Sequence, residues 1–221
     1  MPPRVLRAVG TAFIGPARWA QRTGFFRSAL AAKAVDAAGR PVPWYCLAAI
    51  DFLDTLDFSK DSVLEFGSGQ STLWWASKAS SVAAVEESPH WFGYVQESLA
   101  GMPNAEVHLE TDLESHANLP LTWGRRFGVV VVDGGDRLAC TVAALKVVEP
   151  DGLIIVDNSE GYWGGDLEGT YPILELLDSL GWMRIDFYGY APGVLSTSVT
   201  SLFFRDGHRF LHLPPPRRGG K

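Results

Sequence analysis

From residue 44 onward, short apolar runs of strand length alternate with stretches whose apolar residues recur at helical spacing. Trp44 to Asp57 reads as a helix with Leu47, Ile50, Leu53 and Asp54 near its inner side. Ser62–Phe66, Ser81–Val85, Ala105–Leu109, Phe127–Val132 and Gly152–Val156 read as strands, and Ser71–Ala79, Pro89–Leu99 and Arg137–Val148 as the helices between them. Pro89 opens its helix, a position where the missing N–H costs nothing. Thr170–Leu180 adds a helix with Ile173, Leu176, Leu177 and Leu180 on one side, and Trp182–Tyr188 and Val199–Phe204 close the pattern as two further strands. Strand and helix alternating through short connections predict an α/β fold, a doubly wound and mostly parallel sheet of seven strands with helices on both faces.

The first strand runs into the most informative stretch, Val63-Leu64-Glu65-Phe66-Gly67-Ser68-Gly69-Gln70-Ser71-Thr72. Gly67 and Gly69 permit a tight turn and a close approach of backbone to ligand. The second strand ends on Glu86, a carboxylate able to accept two hydrogen bonds from the vicinal hydroxyls of a ribose, with Glu87 as the alternative. A dinucleotide fingerprint requires a third glycine where this chain has Thr72, which weakens the case for a pyrophosphate. Glu65 points the same way, because a carboxylate in the loop repels phosphate and attracts ammonium. S-adenosylmethionine (SAM) carries a ribose, an ammonium and a sulfonium and no phosphate, so it suits this loop better than NAD. The cofactor-binding candidates are Glu65, Gly67, Ser68, Gly69, Ser71, Glu86 and Asp133.

With E-F-G-S-G-Q-S-T, Glu86, V-V-V-V-D-G-G-D and G-L-I-I-V-D-N in this order and spacing, the chain resembles the class I SAM-dependent methyltransferases over roughly Asp61 to Phe204. The resemblance implies a Rossmann-like sheet whose last strand is antiparallel, and contact of Asp112 with adenine, for which Glu110 and Glu114 could serve as well. Asp133 after the fourth strand and Asp157-Asn158 after the fifth would bring three oxygen donors together, a set suited to a hard cation. The plainer reading is that Asp133 caps a turn and Asp157-Asn158 starts a loop. The same D…D-N arrangement occurs in methyltransferases of the catechol O-methyltransferase type, so the resemblance implies Mg²⁺ at Asp133, Asp157 and Asn158, lowering the pKa of acceptor hydroxyls. Those enzymes carry a lysine base three residues after the first aspartate. Here that position is Asp136, with Arg137 beside it, so Asp133 and Asp136 are the catalytic candidates and His90 a distant further base. The substitution argues against a plain catechol.

The implied activity is O-methylation of a hydroxylated small molecule, sugar or glycan. The loop from Ser159 to Tyr171, with Tyr162, Trp163 and Asp166, would overhang that acceptor, and Tyr188 and Tyr190 would face the same end. Three rivals share part of the pattern. An aminopropyltransferase of the spermidine synthase type would show a G-G-G-D-G loop, a non-catalytic scaffold would have no need of the acid set, and an NAD-dependent reductase would show Tyr-x-x-x-Lys.

Composition narrows the setting. The chain has 221 residues, enough for one domain with a full core, and only two cysteines, Cys46 and Cys140, which fits a reducing cytoplasm. Of 19 bases and 25 acids, residues 1 to 40 hold seven bases and one acid, leaving 12 against 24 in the rest. Residues 1–43 therefore read as a basic arm, partly helical, residues 44–208 as the methyltransferase domain, and the Pro- and Gly-rich residues 209–221 as a disordered tail. The arm suits docking on the acidic body or on a sister subunit in a homo-oligomer, ahead of an anionic surface, and no nucleic-acid partner is expected. Ala8–Ala17 is broken by Gly10, Gly15 and Pro16, unlike a signal peptide, and no apolar run is long enough to span a membrane. His208 and His212 are expected on the surface.

Overall fold

The computed structural model describes residues 4–161, 167–206 and 208. Seven strands form one sheet: β1 (Ser62–Phe66), β2 (Ser81–Glu86), β3 (Ala105–Leu109), β4 (Phe127–Val132), β5 (Val148–Asp157), β6 (Met183–Tyr190) and β7 (Thr197–Phe204). Their order is β3-β2-β1-β4-β5-β7-β6. The pairs β1–β2, β1–β4, β2–β3 and β4–β5 are parallel, whereas β7 lies antiparallel to both β5 and β6. This is the Rossmann-like doubly wound sheet with an antiparallel last strand.

The pleat explains why the strands are so uniformly apolar. Successive side chains point to opposite faces, and both faces are covered, so every position of β4 is buried. Val63, Val129, Val131, Leu153 and Ile155 face α4 (Leu47–Leu53) and α5 (Gln70–Ala76). Leu64, Val130, Val132, Ile154 and Val156 face α8 (Arg137–Val147) and α9 (Leu167–Ser179). The remaining helices α6 (Pro89–Ser98) and α7 (Leu113–Asn118) follow β2 and β3.

Several expected boundaries move by up to four residues, two of them for a tertiary reason. The helix expected over 44–57 is shorter: the Cys46 N–H donates to Thr200 Oγ1 at 3.0 Å and the Trp44 indole N–H to the Pro192 carbonyl at 3.0 Å, which keeps 44–46 out of the helix and against β7 and the loop before it. The fifth strand begins earlier than Gly152, because Val148 already pairs with Phe127.

The N-terminal region comprises α1 (Arg4–Val9), a π-helical turn (Gly10–Ile14), α2 (Gly15–Arg22) and α3 (Phe25–Ala31). No residue of the first three is buried. Trp19 meets Phe25 and Tyr190, with ring centroids 5.2 and 6.2 Å apart. Beyond that contact, Ala34 and Val42 join the core, so close packing runs across the boundary expected at 43/44. Both cysteines are free and buried. His208 is buried beside Phe204 rather than on the surface, its backbone N–H donating to the Arg205 carbonyl at 3.1 Å. His212, the tail 209–221 and the aromatic stretch 162–166 lie outside the described residues. Among the described residues no helix is long and apolar enough to cross a membrane.

Candidate functional site

The sheet reverses its winding where β1 sits between β2 and β4, and clefts at the carboxyl ends of strands open at such points. The loop after β1 is held there by backbone. Gly67 N–H donates to the Val85 carbonyl at 2.8 Å and Asp133 N–H to the Phe66 carbonyl at 3.0 Å. Gly67 has φ +92° and lies back to back with Gly134, whose own Cβ would come within 2.8 Å of the Gly67 Cα. The close approach at Gly67 is thus between two loops of the protein. Gly69 differs: nothing lies within 4 Å of where its Cβ would stand, and it lines a cleft of about 120 Å³ with Ser68, Gln70, Ser71 and Asp133. Thr72, in place of a third glycine, accepts the Gly69 N–H on its hydroxyl at 3.0 Å and so fixes the loop from within.

Glu86 stands at the end of β2 and already binds the loop. One carboxylate oxygen accepts from Ser68 N–H at 2.9 Å and from Ser68 Oγ at 2.7 Å, the other from Ser88 N–H at 2.9 Å. Glu87 reaches instead toward buried His116, at 3.8 Å. Glu65 is in β1 rather than in the loop, 1 % exposed, and one of its oxygens has no hydrogen-bond partner. Burial pushes its carboxyl up to about 8, against the pull of the nearby Thr72 and Ser71 hydroxyls. It is a buried group beneath the cleft and not part of its surface.

A second cavity, about 400 Å³, shares Trp44 and Asp133 with the first and is bounded by Arg137, Asp157, Asn158 and Ser198. The strand ends do bring Asp133, Asp157 and Asn158 together. Asp157 is buried and accepts from Thr200 Oγ1 at 2.5 Å. Asn158 takes φ +51°, a left-handed conformation that asparagine tolerates. Between them lies a group that spacing did not reveal: Arg137 Nη2 donates to the Asp133 carbonyl at 3.2 Å, to Asp133 Oδ1 at 3.3 Å and to Asn158 Oδ1 at 3.2 Å. The fit to Mg²⁺ is therefore poor as the residues stand, with two of the three expected donors bonded to a cation of the chain itself. Among the described residues no cluster of three His, Cys, Asp or Glu has metal-binding geometry. Burial pushes Asp133 up to about 6, partly offset by Arg137, and pushes Asp157 well above the carboxylate range, with the charge of Asp133 adding to it.

Two expected site residues are placed elsewhere. Asp136 Oδ1 caps α8, accepting the Ala139 N–H at 3.0 Å, and lines a depression against α7 on the other side. Asp112 caps α7 through Ser115 N–H at 2.8 Å and is exposed. Both are the acid-then-three-residues pattern of a helix start, visible in the sequence but outweighed there by their position after a strand. His90 is exposed and lines neither cavity. Conversely, Lys33, Trp44 and Trp91 line the cleft at Gly69, and nothing in their local sequence marks them. Lys33 Nζ also sits 4.8 Å above the Tyr94 ring.

No family model and no curated protein matches the chain. Solved structures do. TomG from Streptomyces achromogenes, an O-methyltransferase involved in tomaymycin synthesis and solved in complex with SAM, is 19 % identical over 71 % of this chain and 77 % of that one, with a TM-score of 0.58. An O-methyltransferase from Bacillus cereus in complex with SAH is 19 % identical over 65 % and 74 %, TM-score 0.54. Precorrin-6y C5,15-methyltransferase from Geobacter metallireducens is 13 % identical over 72 % and 87 %, TM-score 0.56. The chain thus has the Rossmann-like fold of the class I SAM-dependent methyltransferases.

Proposed function

We propose that this protein is a SAM-dependent O-methyltransferase acting on a hydroxylated small molecule or a sugar or glycan. One observation carries the reading: the cleft at Gly69 and the acid-lined cavity share a wall, formed by Trp44 and Asp133, at the carboxyl ends of β1 and β4. A cofactor in the first and an acceptor in the second would meet at that wall. SAM supplies a methyl group made electrophilic by its sulfonium. The chain supplies the rest.

Gly69, Ser68 and Ser71 offer an open backbone edge on the cofactor side, and Glu86, at the end of β2, keeps that loop in place through Ser68 and would be the acid to meet a ribose. Lys33 is the one cation lining this cleft among the described residues and suits the carboxylate of the methionine moiety. That favours SAM over its decarboxylated form, and hence methyl transfer over aminopropyl transfer. With SAM bound, an acceptor oxygen in the second cavity would displace the methyl carbon from sulfur in line, the carbon–sulfur electron pair leaving on sulfur. Asp133, ionised above about pH 6, takes the acceptor proton on its carboxylate. Asp157, held protonated by burial, orients the acceptor with Ser198. Trp44, pinned to Pro192, shields the meeting point from water. A reducing cytoplasm suits the two free thiols and supplies the cofactor.

Calorimetry with SAM and with S-adenosylhomocysteine (SAH) tests the cofactor, followed by transfer of labelled methyl groups to hydroxylated acceptors, sugars first. Micromolar binding of both ligands is expected. Binding of neither overturns the reading and leaves a scaffold with a methyltransferase fold.

A further inference from the structure

The place to which a divalent cation would be assigned from the order Asp133…Asp157-Asn158 already holds a positive charge. We propose that the guanidinium of Arg137 stands in for that cation, so that the acceptor cavity is built to work without a metal. The inference deepens the methyltransferase reading and rests on it only for the identity of the acceptor side, since the arrangement of the four residues stands by itself.

Three contacts define the arrangement. Arg137 Nη2 lies 3.2 Å from the Asp133 carbonyl, 3.3 Å from Asp133 Oδ1 and 3.2 Å from Asn158 Oδ1. A magnesium ion requires oxygen ligands at about 2.0–2.1 Å. A guanidinium nitrogen with hydrogen-bond distances to the same oxygens cannot share that volume with the ion. Asp157, the third expected donor, is committed to Thr200 Oγ1 at 2.5 Å. The position of Arg137 is also fixed by the fold: it is the first residue of α8, whose start is capped by Asp136 through the Ala139 N–H. One helical step after the β4 turn, its side chain reaches back over the strand end to its own fourth-previous residue.

Arginine differs from a metal in a way the cavity can use. Its charge is permanent and its donors form a planar fork, of which the contacts to Asp133 and Asn158 engage one nitrogen. Arg137 also lines the cavity, with Trp44, Ala191 and Val194 around it. The remaining N–H groups are thus placed to hold an acceptor oxygen by hydrogen bonds. A metal would hold that oxygen by coordination and drive its pKa down. A guanidinium orients it and leaves proton removal to a carboxylate, the task given above to Asp133. The absence of the lysine base expected beside a metal agrees with this, since Asp136 at that position is turned to a helix cap.

The test is Mn²⁺ binding followed by electron paramagnetic resonance, with SAH binding measured in parallel by calorimetry with Mg²⁺ or EDTA. The wild-type protein should bind Mn²⁺ no better than an Asp157→Asn variant and should bind SAH with the same affinity in Mg²⁺ and in EDTA. Arg137→Met, which frees the oxygens of Asp133 and Asn158, should gain Mn²⁺ affinity by about tenfold or more, and Arg137→Met/Asp157→Asn should lose the gain. A merely structural arginine would produce no such gain. If Arg137→Met does not fold, Arg137→Leu, which likewise leaves the oxygens of Asp133 and Asn158 without a donor from this position, is read in the same way. Wild-type Mn²⁺ binding that disappears in Asp157→Asn overturns the proposal, and so does an Arg137 variant that folds but gains no Mn²⁺ affinity. Failure of SAH to bind would instead count against the methyltransferase reading and leave the Mn²⁺ comparison intact.

Discussion

Replacing Glu65 with glutamine should stabilise the protein at alkaline pH and do little at acid pH. Glu65 is 1 % exposed, and burial lifts its carboxyl from 4.5 to about 8. Below the ordinary carboxylate pKa, the group is protonated in both the folded and the unfolded chain and contributes no pH dependence. Between there and about pH 8 the unfolded chain gives up the proton and the folded one keeps it, so stability falls as pH rises. A rise of about 3.5 units at about 1.4 kcal/mol per unit is on the order of 5 kcal/mol, an upper figure because water reaches buried carboxyls when they ionise. Glutamine has nearly the same shape and no charge at any pH. Urea unfolding of both proteins at about pH 5 and at about pH 8.5 gives two stability differences, and the variant's advantage should grow by several kcal/mol between them. Asp133 and Asp157 titrate in both proteins and largely cancel in that comparison. An advantage that stays constant with pH, or shrinks, would refute the reasoning, since it would mean that Glu65 is ionised in the folded protein at neutral pH.

The two loop glycines should separate cleanly. Gly69→Val introduces a side chain into open space in the cleft, so SAH affinity should fall by about a hundredfold with little change in melting temperature. Gly67→Val forces a β-branched residue to φ +92° within 3.2 Å of the Gly134 nitrogen and should destabilise the fold, by about 2 kcal/mol or more, as read by urea unfolding. Lys33→Met should weaken SAM and SAH about tenfold in calorimetry while leaving decarboxylated SAM unaffected; equal losses for all three would remove Lys33 from the carboxylate. Once an acceptor is found, the rate should fall on the acid side with an apparent pKa near 6, the property of the Asp133–Asp157 pair rather than of either residue. A flat profile from about pH 5 to about pH 8 would exclude Asp133 as the proton acceptor.

What the sequence displayed and what it concealed divide along a physical line. The strands were legible because a strand covered on both faces has to be apolar at every position, as Val129 to Val132 are, and that pattern needs no knowledge of its neighbours. The acids after them were legible for a related reason: parallel strands deliver their carboxyl ends to one edge, so Glu86, Asp133 and Asp157 had to gather there. Features set by partners distant in the chain were not. The helix at 44 is shortened by Thr200, 154 residues away from Cys46, and Lys33 reaches the cleft from a segment whose own pattern shows only an arm, while Trp44 reaches it from what reads as the first turn of a helix. Asp112 and Asp136 mark a third case, where one local pattern serves two purposes, a residue after a strand and a cap before a helix. The amide of the third following residue decides between them, at 2.8 and 3.0 Å. Arg137 joins both difficulties. It is adjacent in sequence to the cap and acts four residues back, on Asp133, and across to Asn158. Spacing alone establishes where three oxygens meet, but the charge that meets them depends on a side chain whose direction only the helix start defines. A metal site and an arginine site therefore share one aspartate pattern, and the residue after the cap is where they part.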